Sequence, residues 1–193
     1  MRDDLRVDWR VPPDTGWLDR FMGPGKSRAE SLVEYVGGAC CVALLAAYCW
    51  RTADGLSSLQ LTVIGVLALD LVGGVLTNAT NAAKRWYHRT PSPRGRLTFV
   101  AAHVLHLAAV AFLVLPDGAA WFVVNTLLLL GAAVLIERVA PHLRRPVAMS
   151  AYMVAVLVNL LAFPVPAVLA WFAAFFFLKL LVCHLVPEAP LVA

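Results

Sequence analysis

Residues 57–79 read SSLQLTVIGVLALDLVGGVLTNA, an apolar stretch whose single charged residue is Asp70. A helix rises about 1.5 Å per residue, so a helix of this length crosses the roughly 30 Å hydrocarbon core of a bilayer. Backbone amides inside a bilayer must be hydrogen-bonded within their own segment, which favours a helix over any open structure. The stretch therefore predicts a transmembrane helix.

The composition of the whole chain agrees with this prediction. Of the 193 residues, 61% are hydrophobic and 15% are charged, and the mean hydropathy is +0.76. Soluble domains average about 45–50% apolar and about 25% charged residues. These values exclude a separate soluble catalytic domain and intrinsic disorder, and four cysteines are too few for a disulfide scaffold.

Five further stretches are long and apolar enough to cross a membrane. The six predicted spans are 31–50, 57–79, 97–115, 119–136, 146–163 and 166–186. We therefore predict an all-α, polytopic membrane protein: a six-helix transmembrane bundle over residues 31–186, with a short cytoplasmic tail at 187–193. Residues 1–30 mix Arg and Asp without an apolar core, which predicts a cytoplasmic or interfacial segment rather than a signal peptide.

The positions of the basic residues predict the orientation. The N-terminal segment and the loops after the second and fourth spans hold all of the Lys and Arg outside the spans, apart from Arg51. Basic loops are retained on the cytoplasmic side. The protein is thus expected to be a multi-pass protein of the cytoplasmic (inner) membrane with both termini inside. This topology explains the net charge of +4 without a nucleic-acid partner.

Polar residues recur at intervals of three or four along the second span, which places them on one face if the helix continues past residue 79. They are Asp70, Thr77, Asn78, Asn81, Arg85 and His88, and Gly74 lies on the same face. Ionisable groups at the centre of a span cost about 2.5–3.5 kcal/mol, so such groups usually serve a function. Lys84 and Arg85 lie about 20 Å from Asp70 along a helix. The partner of Asp70 must therefore come from another helix.

The histidines supply a second set of candidates. His103 and His106 are three residues apart on the third span, so both can reach one centre as acid–base groups or as metal ligands. Glu137 and His184 are expected at the same depth, which predicts a possible divalent-metal site formed by His103, His106, Glu137 and His184. Alternatively, these histidines bind head groups or backbone carbonyls.

Residues 84–89, KRWYHR, combine cations with amphipathic aromatic residues beside the membrane. The segment is either a membrane anchor or a docking site for an anionic head group, with Arg85 or Arg89 as a bidentate clamp. Lys179, inside the sixth span, is expected to extend to the membrane boundary or to neutralise an acidic substrate. The predicted substrate-binding residues are Lys84, Arg85, Trp86, Tyr87, Arg89 and Lys179.

Together these features predict an integral membrane enzyme. Its partners would be membrane lipids and a lipid-phase substrate (an isoprenoid, a quinone or a phospholipid), processed by acid–base or metal-assisted chemistry in a pocket open to the cytoplasm. The predicted catalytic residues are Asp70, Asn78, Asn81, His88, His103 and His106.

Three alternatives remain open. The first is a small transporter or channel whose mid-membrane polar path is formed by Asp70, Asn125 and Asn159. The second is a haem- or quinone-binding redox protein that uses paired histidines. The third is a non-catalytic assembly partner whose polar stripe binds another subunit.

Overall fold

The computed structural model describes residues 6–13, 16–189 and 191–192, and helices dominate it. Six helical stretches are long and apolar enough to span a membrane, which confirms the predicted six-helix bundle. They are Arg28–Thr52, Ser58–Ala79, Arg94–Val114, Ala119–Arg138, Pro141–Ala162 and Ala167–His184. A two-residue strand, β1 (Arg6–Val7), pairs antiparallel with β2 (Leu191–Val192), so both ends of the chain lie at one end of the bundle.

The first two spans begin at matching sequence signals. A short helix, α1 (Trp17–Met22), precedes the first span, α2 (Arg28–Thr52). At the start of α2 the Ser27 side chain accepts from the backbone of Glu30, and the Glu30 side chain accepts in return from the backbone of Ser27. This capping box explains why the helix begins before the predicted residue 31. The second span, α3 (Ser58–Ala79), begins with the same arrangement.

The predicted continuation of the second span past residue 79 is wrong. Thr80 has an extended backbone, with ψ 149°, and its hydroxyl accepts a hydrogen bond from the Ala83 backbone. Thr80 therefore caps a separate helix, α4 (Asn81–Tyr87). Because of this break, Asn81, Arg85 and His88 do not continue the polar face that begins at Asp70.

The third span is interrupted at His103. Its parts are α5 (Arg94–Ala102), α6 (Val104–Ala109) and a π-helical turn at Val110–Val114. The ring nitrogen Nδ1 of His103 lies 2.7 Å from the carbonyl oxygen of Phe99, and the His103 backbone N–H bonds instead to Val100. The side chain thus takes the carbonyl that a regular helix would offer to the backbone, which accounts for the break.

The remaining chain completes the bundle. Its elements are α7 (Ala119–Arg138), a 3-10 turn at Pro141–Leu143, α8 (Arg144–Ala162), a 3-10 turn at Ala167–Leu169, α9 (Phe172–Phe177) and a π-helical segment at Leu178–His184. The sixth span is the most buried of the six and forms the centre of the core, whereas α2 is the least buried and packs mainly on α3. Two cavities that lie beside α2 are lined by residues of α2 and α3.

A buried polar cluster joins α7 to α8. Asn159 Nδ2 donates to Asn125 Oδ1 at 2.7 Å, and Trp121 Nε1 donates to Asn159 Oδ1 at 2.8 Å. Asn125 Nδ2 donates in turn to the Trp121 carbonyl. Both asparagines thus bond to neighbouring groups rather than to Asp70, and they stabilise helix packing. The structure does not join the three residues of the transporter alternative into one path.

Candidate functional site

Asp70 lies on α3 between two cationic or proton-carrying groups from other spans. Lys179 Nζ donates to Asp70 Oδ2 at 2.6 Å, and His106 Nε2 donates to the same oxygen at 2.9 Å. The side chain of Lys179 is 3% exposed, while that of Asp70 is 38% exposed. The partners of Asp70 do come from other helices, and the second oxygen, Oδ1, has no hydrogen-bond partner among the described residues.

Lys179 does not extend to the membrane boundary, so that prediction is wrong. The reason is a close contact with α3 at Gly74. A Cβ atom at Gly74 would lie 2.2 Å from Lys179 Cε, so any larger residue there would require the end of the lysine side chain to move from its present position. Lys179 also lies in the π-helical end of the sixth span, an irregularity that is frequent at functional sites.

His103 and His106 stack on each other with ring centroids 4.6 Å apart. A carbonyl oxygen only accepts, so the Nδ1 atom of His103 carries its proton toward Phe99 and Nε2 keeps a lone pair in the neutral ring. By the same reasoning, the Nε2 atom of His106 carries its proton toward Asp70 and Nδ1 keeps a lone pair. The site thus holds two neighbouring imidazoles, each with one free acceptor nitrogen.

One part of the predicted metal site is brought together. Asp70, His103 and His106 each offer a ligand atom, and these atoms lie within 4.8 Å of one another. Two imidazoles and one carboxylate are a common donor set for transition metals. Asp70, which was not in the predicted metal set, takes the place of Glu137 and His184.

Glu137 and His184 have other surroundings. Arg96 donates to both carboxylate oxygens of Glu137, at 2.6 and 3.0 Å, and Arg144 donates to the Glu137 carbonyl. The ring of His184 is 1% exposed and stacks on Phe99 at 4.3 Å. Including these two residues with His103 and His106 was therefore wrong, because Glu137 is held in an ion pair and His184 is packed in the core.

The sequence reasoning missed a second acid, Glu34. Its carboxylate accepts from the Thr77 hydroxyl on α3 and from the Lys26 ammonium, and the residue is 8% exposed. A carboxylate inside a predicted apolar span is costly. That signal was present at residue 34 and would have identified it.

These residues line a cavity of about 740 Å³ between α2, α3, α5 and the sixth span. Asp70, Glu34 and Lys179 contribute charge to its wall, together with the paired imidazoles. Its rim includes Phe21, Tyr35 and Leu69, which are 63%, 68% and 58% exposed. Because Tyr35 and Leu69 belong to the outer surfaces of spans, the cavity opens toward the bilayer.

Asn78 also lines this cavity. Only 3% of the residue is exposed, and its Nδ2 atom is buried without a hydrogen-bond partner. A buried amide donor without an acceptor is unfavourable, and such groups are rare in folded proteins. The other predicted amide, Asn81, lies beyond the break at Thr80, and its backbone N–H donates to Glu30 Oε1 at 2.8 Å.

The two predicted head-group residues at the start of the basic segment bind the protein itself. Lys84 is 3% exposed and donates to the carbonyls of Cys183 and Val186, at 2.5 and 2.8 Å. Burial lowers the pKa of Lys84 below its ordinary value. Arg85 donates to the Gly25 carbonyl at 3.3 Å. Lys84 therefore caps the end of the sixth span, and Arg85 holds the loop before α2.

The rest of the segment supports α1 at the cavity mouth. Trp86 Nε1 donates to the Arg20 carbonyl and the Tyr87 hydroxyl to the Phe21 carbonyl, both at 2.7 Å. Burial raises the pKa of Tyr87. Arg89 lies over the Trp86 ring, 3.5 Å from its centroid.

His88, a predicted catalytic residue, lies apart from the Asp70 cluster. Its Nε2 atom is 3.0 Å from the His184 carbonyl, to which it donates. Burial, followed by the charge of Arg96, lowers the pKa of His88 to about 4. The structure therefore places a neutral histidine at the end of the sixth span, as a structural hydrogen-bond donor.

No protein-family model, no curated protein and no solved structure matches this chain.

Proposed function

We propose that this protein is an integral membrane enzyme that performs acid–base chemistry on a lipid-phase substrate, with Asp70 and His106 as its central pair. One observation carries the proposal. The Asp70 carboxylate, held by Lys179 at 2.6 Å and His106 at 2.9 Å, lines a large cavity with an exposed apolar rim. Ionisable groups are expensive within a membrane, and here Asp70, Lys179, Glu34 and two histidines line one cavity.

The geometry supports a specific division of roles. Asp70 orients the His106 ring so that Nδ1 is free to accept a proton from a substrate O–H or acidic C–H group. The imidazolium that forms is then stabilised by the adjacent carboxylate. Lys179 offsets the cost of placing that carboxylate inside the bundle. His103, stacked on His106, offers a second acceptor nitrogen, Nε2, to a bound molecule.

A second candidate function is metal-assisted chemistry at the same residues. It is favoured by the ligand atoms of Asp70, His103 and His106 lying within 4.8 Å of one another. A divalent ion there would act as a Lewis acid on a substrate oxygen. Elemental analysis of the purified protein and of His103→Ala tests this candidate: one bound ion per chain that is lost in the variant supports it, and no ion in the wild-type protein refutes it.

We also propose that the protein lies in the cytoplasmic membrane with both termini inside. The concentration of Lys and Arg in the N-terminal segment and in the loops after the second and fourth spans supports this orientation. The site would then be reached from the inner leaflet, through the rim formed by Phe21 and Tyr35.

The enzyme proposal is tested by comparing the lipids of cells that produce the wild-type protein with those that produce Asp70→Asn. Asp117→Asn is the matched control, because it makes the same change at an exposed carboxylate between spans. We expect the wild type and Asp117→Asn to alter the same lipid species and Asp70→Asn to alter none. Equal changes with all three folded proteins would refute a catalytic role for Asp70.

Two variants, each at a different histidine, test the enzyme proposal without changing Asp70. His106→Gln removes the proposed base, while His142→Gln makes the same change at an exposed position. Proton transfer by a positioned side chain contributes roughly 10²–10⁴-fold to a rate. We expect a loss of that size in His106→Gln and none in His142→Gln.

A further inference from the structure

A second, apolar space lies between α2 and α3 beside the cavity that holds Asp70. This groove, of about 580 Å³, is lined on α3 by Leu61, Gly65 and Ala68. Val42 and Leu69 line both spaces, so the two are adjacent, and we call them together the joined space. Along α3 the joined space runs from Leu61 to Asn78, about 26 Å at the helical rise. An elongated molecule fits this shape better than a compact one.

The charges of the cavity are already balanced. Asp70 has the ammonium of Lys179 as its partner, and Glu34 has that of Lys26. Of the described residues that line the cavity, none is an arginine. A phosphate group would bring negative charge without a compensating cation into a space of low dielectric constant, which is unfavourable. The cavity therefore suits a head group without net charge.

The unpartnered amide of Asn78 indicates what that head group contains. Asn78 lines the cavity, and its Nδ2 donor is buried and lacks an acceptor among the described residues. A hydroxyl or carbonyl oxygen of a bound molecule would satisfy this donor. The donor and the apolar groove lie at opposite ends of the joined space, with Asp70 between them.

We propose that the substrate is an uncharged amphiphile whose hydroxyl or carbonyl oxygen accepts from Asn78 and whose apolar chain lies in the groove between α2 and α3. This inference rests on the proposed function and names its substrate class. Isoprenoid alcohols and quinones belong to that class, whereas anionic phospholipids and prenyl phosphates do not. The Asp70–His106 pair lies about 12 Å from Asn78 along α3, so the O–H or acidic C–H group on which it acts lies farther along the molecule than the oxygen that Asn78 binds.

The head-group part is tested by equilibrium binding of radiolabelled farnesol and farnesyl monophosphate to the purified full-length protein. These probes share one chain and differ in charge. We expect farnesol to bind at least about tenfold more tightly, and Asn78→Leu to weaken farnesol binding about tenfold, as for the loss of one hydrogen bond. Equal or tighter binding of the phosphate, no farnesol binding, or unchanged binding to Asn78→Leu overturns the proposal.

The proposed position of the ligand's apolar chain is tested with two glycine variants. Gly65 lines the groove, and Gly131 lines a separate apolar groove between α7 and α8; a Cβ atom at either position meets no atom within 4 Å. We expect Gly65→Leu to weaken farnesol binding about tenfold, consistent with loss of part of the chain's buried surface, and Gly131→Leu to leave it unchanged. Equal effects of both variants would place the chain elsewhere and overturn the proposal.

Asp70→Asn separates this inference from the proposed function. We expect the variant to bind farnesol within about threefold of the wild type while losing the lipid changes described above. If the lipid changes depend on Asp70 but farnesol does not bind, the substrate class is wrong and the enzyme proposal stands. If farnesol binds as expected but Asp70→Asn retains the lipid changes, the enzyme proposal fails instead.

Discussion

Replacement of Lys179 by Met removes the ammonium that lies 2.6 Å from Asp70 while keeping the length and the apolar stem of the side chain. Loss of one partner from a buried ion pair costs about 3–5 kcal/mol, because the other charge remains buried and unpaired. The Asp70 side chain is 38% exposed to the cavity and keeps His106, so we expect a smaller cost, about 2–3 kcal/mol. For a chain of this size that corresponds to a decrease in Tm of about 4–12 °C.

A double-mutant cycle isolates the pair. Asp70→Asn alone leaves a buried ammonium beside an amide, whereas Asp70→Asn combined with Lys179→Met removes both charges together. We expect the double variant to be more stable than the sum of the single effects by about 2 kcal/mol. Thermal unfolding in detergent micelles, followed by circular dichroism, measures all four proteins. Additivity of the two substitutions within about 0.5 kcal/mol would show that these side chains do not interact and would refute the reasoning.

Two further predictions concern a glycine contact and a buried histidine. Gly74→Ala would place a Cβ atom 2.2 Å from Lys179 Cε, so we expect lower thermal stability and loss of activity. The control Gly73→Ala, whose Cβ atom meets no atom within 4 Å, should be neutral or slightly stabilising. Equal Tm values for the two variants would contradict the contact. Burial lowers the pKa of His88 from 6.5 to about 4, so the unfolded chain takes up this proton first as the pH falls. The free energy of unfolding is therefore not reduced by His88 above about pH 6.5, and it falls as the pH drops toward 4. A plot of Tm against pH should be flatter for His88→Gln than for the wild type, and unchanged for His142→Gln.

The six spans were predictable from the sequence because crossing a bilayer demands length and apolar composition, both of which are local properties. The position of Asp70 within its span also indicated that a partner had to come from another helix, and Lys179 and His106 are those partners. An isolated charge inside a membrane is costly, and for this reason the sequence could predict that Asp70 has a partner. The choice among possible partners required the packing of the helices.

The errors at the site arise from contacts that sequence spacing does not contain. The continuous polar face ended at Thr80 because a threonine hydroxyl caps a new helix there, and no periodicity marks that change. Lys179 was expected at the membrane boundary because a lysine near a helix end usually extends there. Its actual position depends on the absence of a side chain at Gly74, a relation between two helices far apart in the chain.

Glu137 shows a related limit. Its depth in the membrane was consistent with a metal ligand, but Arg96 from the third span binds it with two hydrogen bonds. The sequence alone does not distinguish a carboxylate that lies beside a histidine pair from one that lies beside an arginine. Only the arrangement of the third and fourth spans distinguishes them.

The most direct test of the account is the protonation of the His106 ring, measured by nitrogen NMR on protein labelled with ¹⁵N-histidine. If Asp70 accepts from His106 as described, the neutral ring carries its proton on Nε2 and leaves Nδ1 unprotonated. We expect this form in the wild-type protein and a mixture of both forms in Asp70→Asn. A His106 ring protonated on Nδ1, with no response to the Asp70 substitution, would contradict the proposed acid–base pair.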